Sequence, residues 1–153
     1  MSVDIDLSGK TALITGGTRG LGRAIADIFL DAGAKLILTG TKPDEIKQLS
    51  ADEKNLKVKW LPADFSSLDG IASFIEQLKL TDTIDICINN AGINIIKPYD
   101  SYSAAEYQRL ININLTAPFS LVQQLIPDMK KRGLGRIVNI ASIWSQVSKP
   151  GRT

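Results

Sequence analysis

The sequence predicts an α/β fold in which helices cover both faces of a parallel β-sheet, giving three layers. Two observations predict it. Apolar β-type runs alternate with segments of helical periodicity along all 153 residues, which is the pattern of β-α-β units. A glycine cluster also lies at the first junction between a strand and a helix. The length leaves room for one domain, so we expect residues 1–153 to form a single unit.

Short apolar runs bounded by glycine, proline or polar residues predict five strands. They cover residues 11–15, 35–39, 57–61, 84–88 and 136–140. Doubly wound sheets usually carry more than five strands, and the thirteen residues after residue 140 show no helical pattern. We therefore expect a doubly wound parallel sheet that is truncated after its fifth strand.

Helical periodicity fills the segments between these strands. The first predicted helix follows the glycine cluster, ends at Gly33 and carries Leu21, Ile25, Ile28 and Ala32 on one face. A short polar helix covers 43–50. Ser66 or Ser67 can cap the next helix, whose apolar face is Ile71, Phe74, Ile75 and Leu78. Two separate helices are predicted at 103–114 and 116–131, the second with Phe119, Val122, Ile126 and Met129 in register.

Composition excludes several classes of protein. The net charge of +2 gives no reason to expect nucleic acid or an acidic membrane as a partner. Histidine is absent and Cys87 is the one cysteine, so neither a disulfide framework nor a zinc site is expected, and Cys87 is interpreted as a buried apolar filler. No apolar run reaches the roughly 18 residues of a membrane span. Residues 1–10 are polar and unlike a signal peptide, so we expect a cytoplasmic protein.

The glycine cluster is the strongest functional signal. Residues 15–22 read TGGTRGLG between a predicted strand and a predicted helix, the context that supports a dinucleotide-binding loop of the Rossmann type. Gly16 permits a tight turn, Gly20 lets the backbone approach a pyrophosphate, and Gly22 lets the helix pack close to the strand. The helix N-terminus then offers free N–H groups to the phosphates. The alternative is a flexible turn without a ligand.

The end of the second strand favours NADP over NAD. An NAD site places a carboxylate there to bind the ribose 2′-hydroxyl, but this strand ends Thr39-Gly40-Thr41-Lys42. A small neutral residue leaves space for a 2′-phosphate, while Arg19 and Lys42 supply positive charge and Thr41 a donor. Alternatively, Arg19 and Lys42 are solvated surface cations and the cofactor is NAD.

The combination of motifs resembles a classical short-chain dehydrogenase/reductase. The motif at 15–22 is followed by Asp64, by Asn-Asn-Ala-Gly at 89–92 after the fourth strand, by Asn114, and by Ser142 after the fifth strand. The order and spacing match the family from about residue 7 to residue 153. Among its members, the chain most resembles the 3-oxoacyl-(acyl carrier protein) reductases.

The resemblance implies roles for these residues. Asp64, followed by Phe65, would hold the adenine ring, and Asn90, Ala91 and Gly92 would line the cofactor, together with Thr18, Arg19 and Leu21 of the glycine loop. Asn114 resembles the asparagine whose helix bends to hold a water of the proton relay. Ser142 resembles the serine that bonds the substrate oxygen. Without the resemblance, Asp64 is a helix-entry acid, residues 89–92 are a turn, and Asn114 and Ser142 are ordinary polar residues.

The family's catalytic tyrosine, with a lysine four residues later, is missing from these 153 residues. Thirteen residues after Ser142 is position 155, and residues 150–153 resemble the stretch leading up to it. None of the three tyrosines is followed by a lysine four residues later: Tyr99, Tyr102 and Tyr107 precede Ser103, Glu106 and Ile111. The expected function is therefore NAD(P)-dependent carbonyl reduction or alcohol oxidation of a small molecule, or the cofactor-binding fragment of such an enzyme. The alternative is a non-catalytic dinucleotide-binding module, and the full-length form is expected to be a dimer or tetramer.

Overall fold

The computed structural model describes residues 5–147. Residues 150–153, predicted to lead up to the family's catalytic tyrosine, therefore lie outside the described residues. Its strands are β1 Thr11–Ile14, β2 Lys35–Gly40, β3 Val58–Pro62, β4 Ile86–Asn89 and β5 Arg136–Asn139. Its α-helices are α1 Gly20–Asp31, α2 Pro43–Asp52, α3 Leu68–Leu78, α4 Ala104–Ile111 and α5 Ala117–Arg132. A π-helical segment, Asn112–Thr116, joins α4 to α5, and short 3-10 turns cover Tyr99–Ser101 and Ile143–Ser145.

The five strands form one sheet in the order β3-β2-β1-β4-β5, and every pair of neighbours is parallel. This is the order of the first five strands of the doubly wound dinucleotide-binding fold. The predicted α/β architecture is therefore confirmed, with strand bounds shifted by at most two residues. Because β1 and β4 are neighbours, the loops that follow them meet at the point where the strand order reverses.

Apolar packing places the helices in two layers. On one face, Ala26 of α1 and Ile46 of α2 pack with Leu36 and Leu38 of β2. On the other, Phe74 of α3 and residues of α5 pack with Leu13, Ile37 and Cys87 of the sheet. The hydrophobic core therefore lies on both faces of β1, β2 and β4.

The prediction for α3 is confirmed in detail. Of the two candidate caps, Ser67 is the one used, since its Oγ accepts the Gly70 N–H at 3.1 Å. Ile71, Phe74 and Leu78 are buried and Ile75 packs against the same cluster. Here the apolar period and the cap agree, so the sequence specifies the helix unambiguously.

The predicted apolar face of α1 is correct only in part: Ile25 packs against the core, but two of the other predicted residues do not. Leu21 and Ile28 are more than half exposed, and the buried residues are Gly22 and Ala26. A Cβ on Gly22 would lie 2.3 Å from the Gly16 carbonyl oxygen, so Gly22 faces the glycine loop at the closest approach of the helix. That contact sets the rotation of α1 and turns Leu21 and Ile28 away from the sheet.

The predicted break between two helices at residue 115 is also wrong. The chain passes from α4 to α5 through the π-helical segment, in which Ala117 N–H donates to the Asn112 carbonyl. The next residue, Pro118, has no N–H to donate, and the wider turn accommodates it without ending the helix. In α5 the buried residues are Ala117, Leu121 and Met129, whereas Phe119, predicted to pack, is mostly exposed.

Cys87 behaves as predicted, as a buried filler. It lies in the middle of β4 with no exposed surface, and burial raises the pKa of its thiol to about 12. The thiolate, which is the nucleophile and metal ligand, is therefore scarce at neutral pH. Among the described residues, no helix is both long enough and apolar enough to cross a membrane.

An ion pair fastens α5 to the edge of the sheet opposite the glycine loop. Asp85 is buried just before β4, where its Oδ2 accepts the Thr11 N–H at 3.0 Å and its Oδ1 pairs with Arg132 Nη1. Arg132 Nη2 donates to the Ile84 carbonyl at 2.8 Å, and Nε pairs with Asp128 at 3.1 Å. One guanidinium thus joins the C-terminal turn of α5 to the start of β4.

Replacing Arg132 is expected to destabilise the fold, because it leaves the Asp85 carboxylate buried without its cation. For Arg132→Ala we expect a clear loss in the free energy of unfolding, because removing one partner leaves the buried Asp85 carboxylate without a compensating charge. Urea denaturation measures this loss. The control is Lys131→Ala, which removes an exposed neighbouring cation and should change stability by less than about 0.5 kcal/mol. Equal losses in the two variants would contradict the assignment.

Candidate functional site

A cleft of about 680 Å³ opens at the carboxyl edge of the sheet, where the loops after β1, β2, β3 and β4 meet. Ligands bind at this edge in open α/β sheets. The residues that line it are Gly16, Thr18, Arg19, Gly20, Leu21, Thr39, Gly40, Thr41, Lys42, Glu45, Ala63, Asp64, Phe65, Ser66, Asn90, Ala91, Gly92, Ile93, Arg109 and Ile113. Apart from Gly22, every residue predicted from the sequence to bind the cofactor lines this cleft.

The glycines of the loop differ in what surrounds them. A Cβ on Gly22 would lie 2.3 Å from the Gly16 carbonyl oxygen and 2.4 Å from Asn90 Nδ2, so only glycine fits there. Gly16 has a φ of +69°, and its Cβ would lie 3.1 Å from Ala91 Cα. Gly20 has a φ of +59°, with open space where a Cβ would be. Gly16 and Gly22 therefore pack the loop, while Gly20 leaves the backbone bare on the cleft side.

Helix N-termini at the cleft are not capped by side chains. Arg19 is the N-cap of α1 and Lys42 that of α2, and neither makes a capping hydrogen bond through its side chain. By contrast, Ser67 and Ser103 cap α3 and α4. The first N–H groups of α1 thus retain their donor capacity and the positive end of the helix dipole, which is the arrangement that binds phosphate.

Thr15 fastens the loop after β1 to the loop after β4. Its buried hydroxyl accepts N–H groups from Asn90 at 3.0 Å and Ala91 at 2.9 Å. Asn90 Nδ2 donates in return to the carbonyls of Thr15 at 2.9 Å and Gly16 at 3.1 Å. The Asn-Ala-Gly segment is therefore held against the glycine loop, which accounts for both motifs in the same cleft.

The end of β2 forms the second wall. Thr39 Oγ1 accepts the Gly16 N–H at 3.1 Å, so β2 also supports the glycine loop. A Cβ on Gly40 would lie 2.6 Å from both Thr18 Cγ2 and Ile46 Cδ1, so a side chain at this position would require one of these two residues to shift. Thr41 and Lys42 continue from this point along the cleft.

Asp64 and Phe65 lie just after β3, and both line the cleft. Asp64 Oδ1 accepts the Ser66 N–H at 2.9 Å. Hydrogen bonds from Ser66, aided by the charge of Arg109, lower the pKa of the Asp64 carboxyl, so it is ionised at neutral pH. Phe65 is buried and meets Phe74 edge to face, with ring centroids 5.3 Å apart. The aromatic contact fixes the turn that presents Asp64.

The two residues assigned to catalysis by resemblance lie outside the cleft lining. Asn114 belongs to the π-helical segment, where its Nδ2 donates to the Ile93 carbonyl and its Oδ1 accepts the Ile93 N–H, both at 2.9 Å. Ser142 follows β5, and its Oγ accepts the Trp144 N–H at 3.3 Å. Asn114 therefore ties the loop after β4 to the helix, a contact that the sequence did not predict.

Sequence reasoning missed two charged residues of the cleft, Glu45 and Arg109. Glu45 lies in the first turn of α2, a few residues beyond the end of β2, where an NAD site would place its acid. Arg109 lies on α4, 45 positions after Asp64 in the chain, and it lines the cleft without belonging to any of the predicted motifs. Periodicity gave no signal for either residue, since both are exposed positions of polar helices.

A model of the short-chain dehydrogenase family matches residues 10–153. The chain belongs to the short-chain dehydrogenase family. Its resemblance to this family is therefore confirmed, and the glycine loop and the Asn-Asn-Ala-Gly segment that carried it lie together in the structure.

The most similar curated short-chain dehydrogenases include reductases and a dehydrogenase. The chain is 37% identical to the 3-oxoacyl-acyl-carrier-protein reductase of Aquifex aeolicus, covering 92% of this chain and 58% of that protein. It is also 37% identical to the D-beta-hydroxybutyrate dehydrogenase of Rhizobium meliloti, covering 92% of this chain and 57% of that protein. The chain thus spans somewhat under three-fifths of the length of these relatives.

Solved structures of the family superpose on the fold. A putative NAD(P)-dependent gluconate 5-dehydrogenase from Beutenbergia cavernae, with bound NADP at low occupancy, matches with a TM-score of 0.84 at 33% identity over 96% of this chain and 59% of its own. A metagenomic short-chain oxidoreductase in complex with NADP matches with a TM-score of 0.82 at 29% identity over 98% of this chain and 69% of its own. These matches confirm the doubly wound fold.

Adding a methyl group at Gly22 is expected to disrupt the loop. In Gly22→Ala the new Cβ meets the Gly16 carbonyl at 2.3 Å, so the helix or the loop must shift. We expect a loss of about 2–3 kcal/mol in the free energy of unfolding, as for overpacking of a tight site. The control is Gly92→Ala, whose Cβ would have ordinary contacts, with Asn114 Oδ1 at 3.4 Å. Thermal and urea unfolding of both variants measure the difference, and a Gly22→Ala protein as stable as Gly92→Ala would contradict the packing role.

Proposed function

We propose that this chain is the cofactor-binding part of an NAD(P)-dependent oxidoreductase, and that it prefers NADP. The observation that carries the proposal is the uncapped N-terminus of α1, which faces the cleft through the bare backbone of Gly20. A pyrophosphate needs N–H donors and close backbone approach, and this turn offers both. The flexible-turn alternative leaves the tight packing of Gly16 and Gly22 without a purpose.

Residues around the turn supply the remaining contacts of a dinucleotide. Asn90, Ala91 and Gly92 would line the ribose and nicotinamide side of the cleft, since Thr15 holds them against the glycine loop. Asp64, whose carboxyl is ionised at neutral pH, would accept a hydrogen bond from the adenine amino group, with Phe65 behind it. Thr18 and Leu21 would complete the wall over the phosphates.

The preference for NADP rests on charge at the end of β2. Arg19, Thr41 and Lys42 line the same part of the cleft, and the strand end carries no acid. Guanidinium and ammonium groups bind phosphate, and Arg does so through two parallel hydrogen bonds. Two relatives of known structure hold NADP, which supports this choice without deciding it for this chain. NAD is the alternative cofactor.

For the reaction itself we propose reduction of a carbonyl, or oxidation of an alcohol, on a small molecule. The nicotinamide, when bound, supplies or accepts the hydride. Ser142 would donate a hydrogen bond to the substrate oxygen, and Asn114 would hold the loop after β4 in place through Ile93 while its helix bend positions a relay water. We place the enzyme in the cytoplasm, as a dimer or tetramer in its full-length form.

Removing the guanidinium of Arg19 is expected to weaken the binding of NADPH more than the binding of NADH. Because NADH lacks the 2′-phosphate, Arg19→Ala should raise the Kd for NADPH roughly tenfold or more and that for NADH less than about twofold. Isothermal titration calorimetry with each cofactor measures both constants. Arg23→Ala is the control: Arg23 lies one turn along α1, pairs with Asp27 at 2.9 Å and does not line the cleft.

Three results would count against this assignment. If Arg19→Ala weakened the binding of NADPH and of NADH equally, the guanidinium would contact the pyrophosphate, which both cofactors share. The argument for NADP would then be lost. Equal effects of the Arg19 and Arg23 substitutions would mean that both act only through the net charge of the protein, without a specific contact to the 2′-phosphate. Failure of the wild-type chain to bind either cofactor would overturn the proposed function as a whole.

A preparation of these 153 residues alone is expected to bind NADPH without turnover. None of its tyrosines is followed by a lysine four residues later, and an isolated phenol with a pKa near 10 is a poor acid-base group at neutral pH. Absorbance of NADPH with a panel of small ketones and aldehydes measures the rate, with a full-length relative as the positive control. Steady oxidation of NADPH by a preparation of verified mass would contradict the expectation.

A further inference from the structure

The 2′-phosphate end of the proposed cofactor site carries a carboxylate as well as cations. Glu45 lines the cleft beside Thr41 and Lys42, and Arg19 lines it from the glycine loop. Glu45 is the third residue of α2, whereas the acid before it, Asp44, does not line the cleft. Of two acids in the same helical turn, one therefore lines the cleft and the other does not.

In the part of the chain that the structure describes, no cation pairs with Glu45. Within residues 5–147, no ion pair shorter than 4.0 Å includes Glu45, whereas Glu76 pairs with Lys79 and Glu106 with Lys97, each at 2.6 Å. Either Asp44 or Glu45 alone satisfies the preference of a helix N-terminus for negative charge. The dipole therefore explains an acid in this turn, but it does not explain why one of them faces the cleft.

We propose that Glu45 determines how strictly this cleft selects between NADP and NAD. Its carboxylate repels a 2′-phosphate and accepts a hydrogen bond from a free 2′-hydroxyl, while Arg19 and Lys42 act in the opposite direction. The chain therefore binds both cofactors, with a preference for NADPH smaller than the cations alone would give. The inference rests on the proposed function, since it requires a dinucleotide in this cleft.

The sign and size follow from the charges. A 2′-phosphate carries about −1.5 to −2 charges near neutral pH, so an unpaired carboxylate on the same wall opposes it in partly exposed surroundings. In high dielectric, repulsion between a carboxylate and a phosphate on the same wall of a cleft corresponds to roughly a threefold to tenfold change in Kd. A neutral ribose hydroxyl experiences no such repulsion, and in the amide variant it exchanges a charged acceptor for a weaker neutral one.

The test replaces Glu45 by its amide, which keeps the size of the side chain. In Glu45→Gln, we expect the Kd for NADPH to fall roughly threefold to tenfold and that for NADH to stay equal or rise, so that the ratio shifts at least about threefold toward NADPH. Calorimetry at low and at physiological salt measures both constants, and the gain for NADPH should shrink at high salt. Asp44→Asn is the matched control, with the same charge change in the same turn, and should leave the ratio within about twofold.

The outcomes separate this inference from the proposed function. If wild-type protein binds NADPH and Glu45→Gln leaves the ratio of the two constants unchanged, the inference is overturned and the proposed function stands. An equal shift in Asp44→Asn also overturns it, since the effect would then come from the charge of the helix end. If the folded wild-type protein binds neither cofactor, both fall. Circular dichroism and the Tm of each variant exclude loss of folding as a cause.

Discussion

The contact between Gly22 and the Gly16 carbonyl is the constraint on which the site depends. With no side chain between them, α1 starts close enough to β1 that its first N–H groups face the cleft. The same approach brings Asn90 within reach of the Thr15 and Gly16 carbonyls. It also places Gly22 and Ala26 at the buried face of the helix, while Leu21 and Ile28 stay exposed.

The sequence predicted the fold, the order of elements and most of the cleft, because these depend on local patterns. Five strands emerge from short apolar runs, and α3 from a cap and an apolar face that agree. The residues of the recognised motifs were also predicted to come together, since the carboxyl ends of parallel strands meet at one edge of the sheet. Thus Arg19, Thr41, Asp64 and Ala91 line one cleft although they are far apart in the chain.

What the sequence did not predict depends on contacts between distant segments. Leu21 is exposed because α1 packs against the glycine loop, and Phe119 is exposed because it follows the π-helical turn. Neither feature produces a hydrophobic periodicity in the sequence. Glu45 and Arg109 read as ordinary polar helix residues until the fold brings them to the same cleft. A buried polar contact or a charge of the cleft wall is thus a property of topology more than of the local pattern.

The hydroxyl of Thr15 has a consequence for how a ligand is received. It links the turn after β1 to residues 90–91, and Ile93 continues the link to Asn114 on the helix beyond. The connection after β1 and the connection after β4 are thereby joined by hydrogen bonds along one side of the cleft before anything binds. The loss of chain entropy is incurred during folding, so a molecule arriving at this side of the cleft meets a surface that needs little rearrangement.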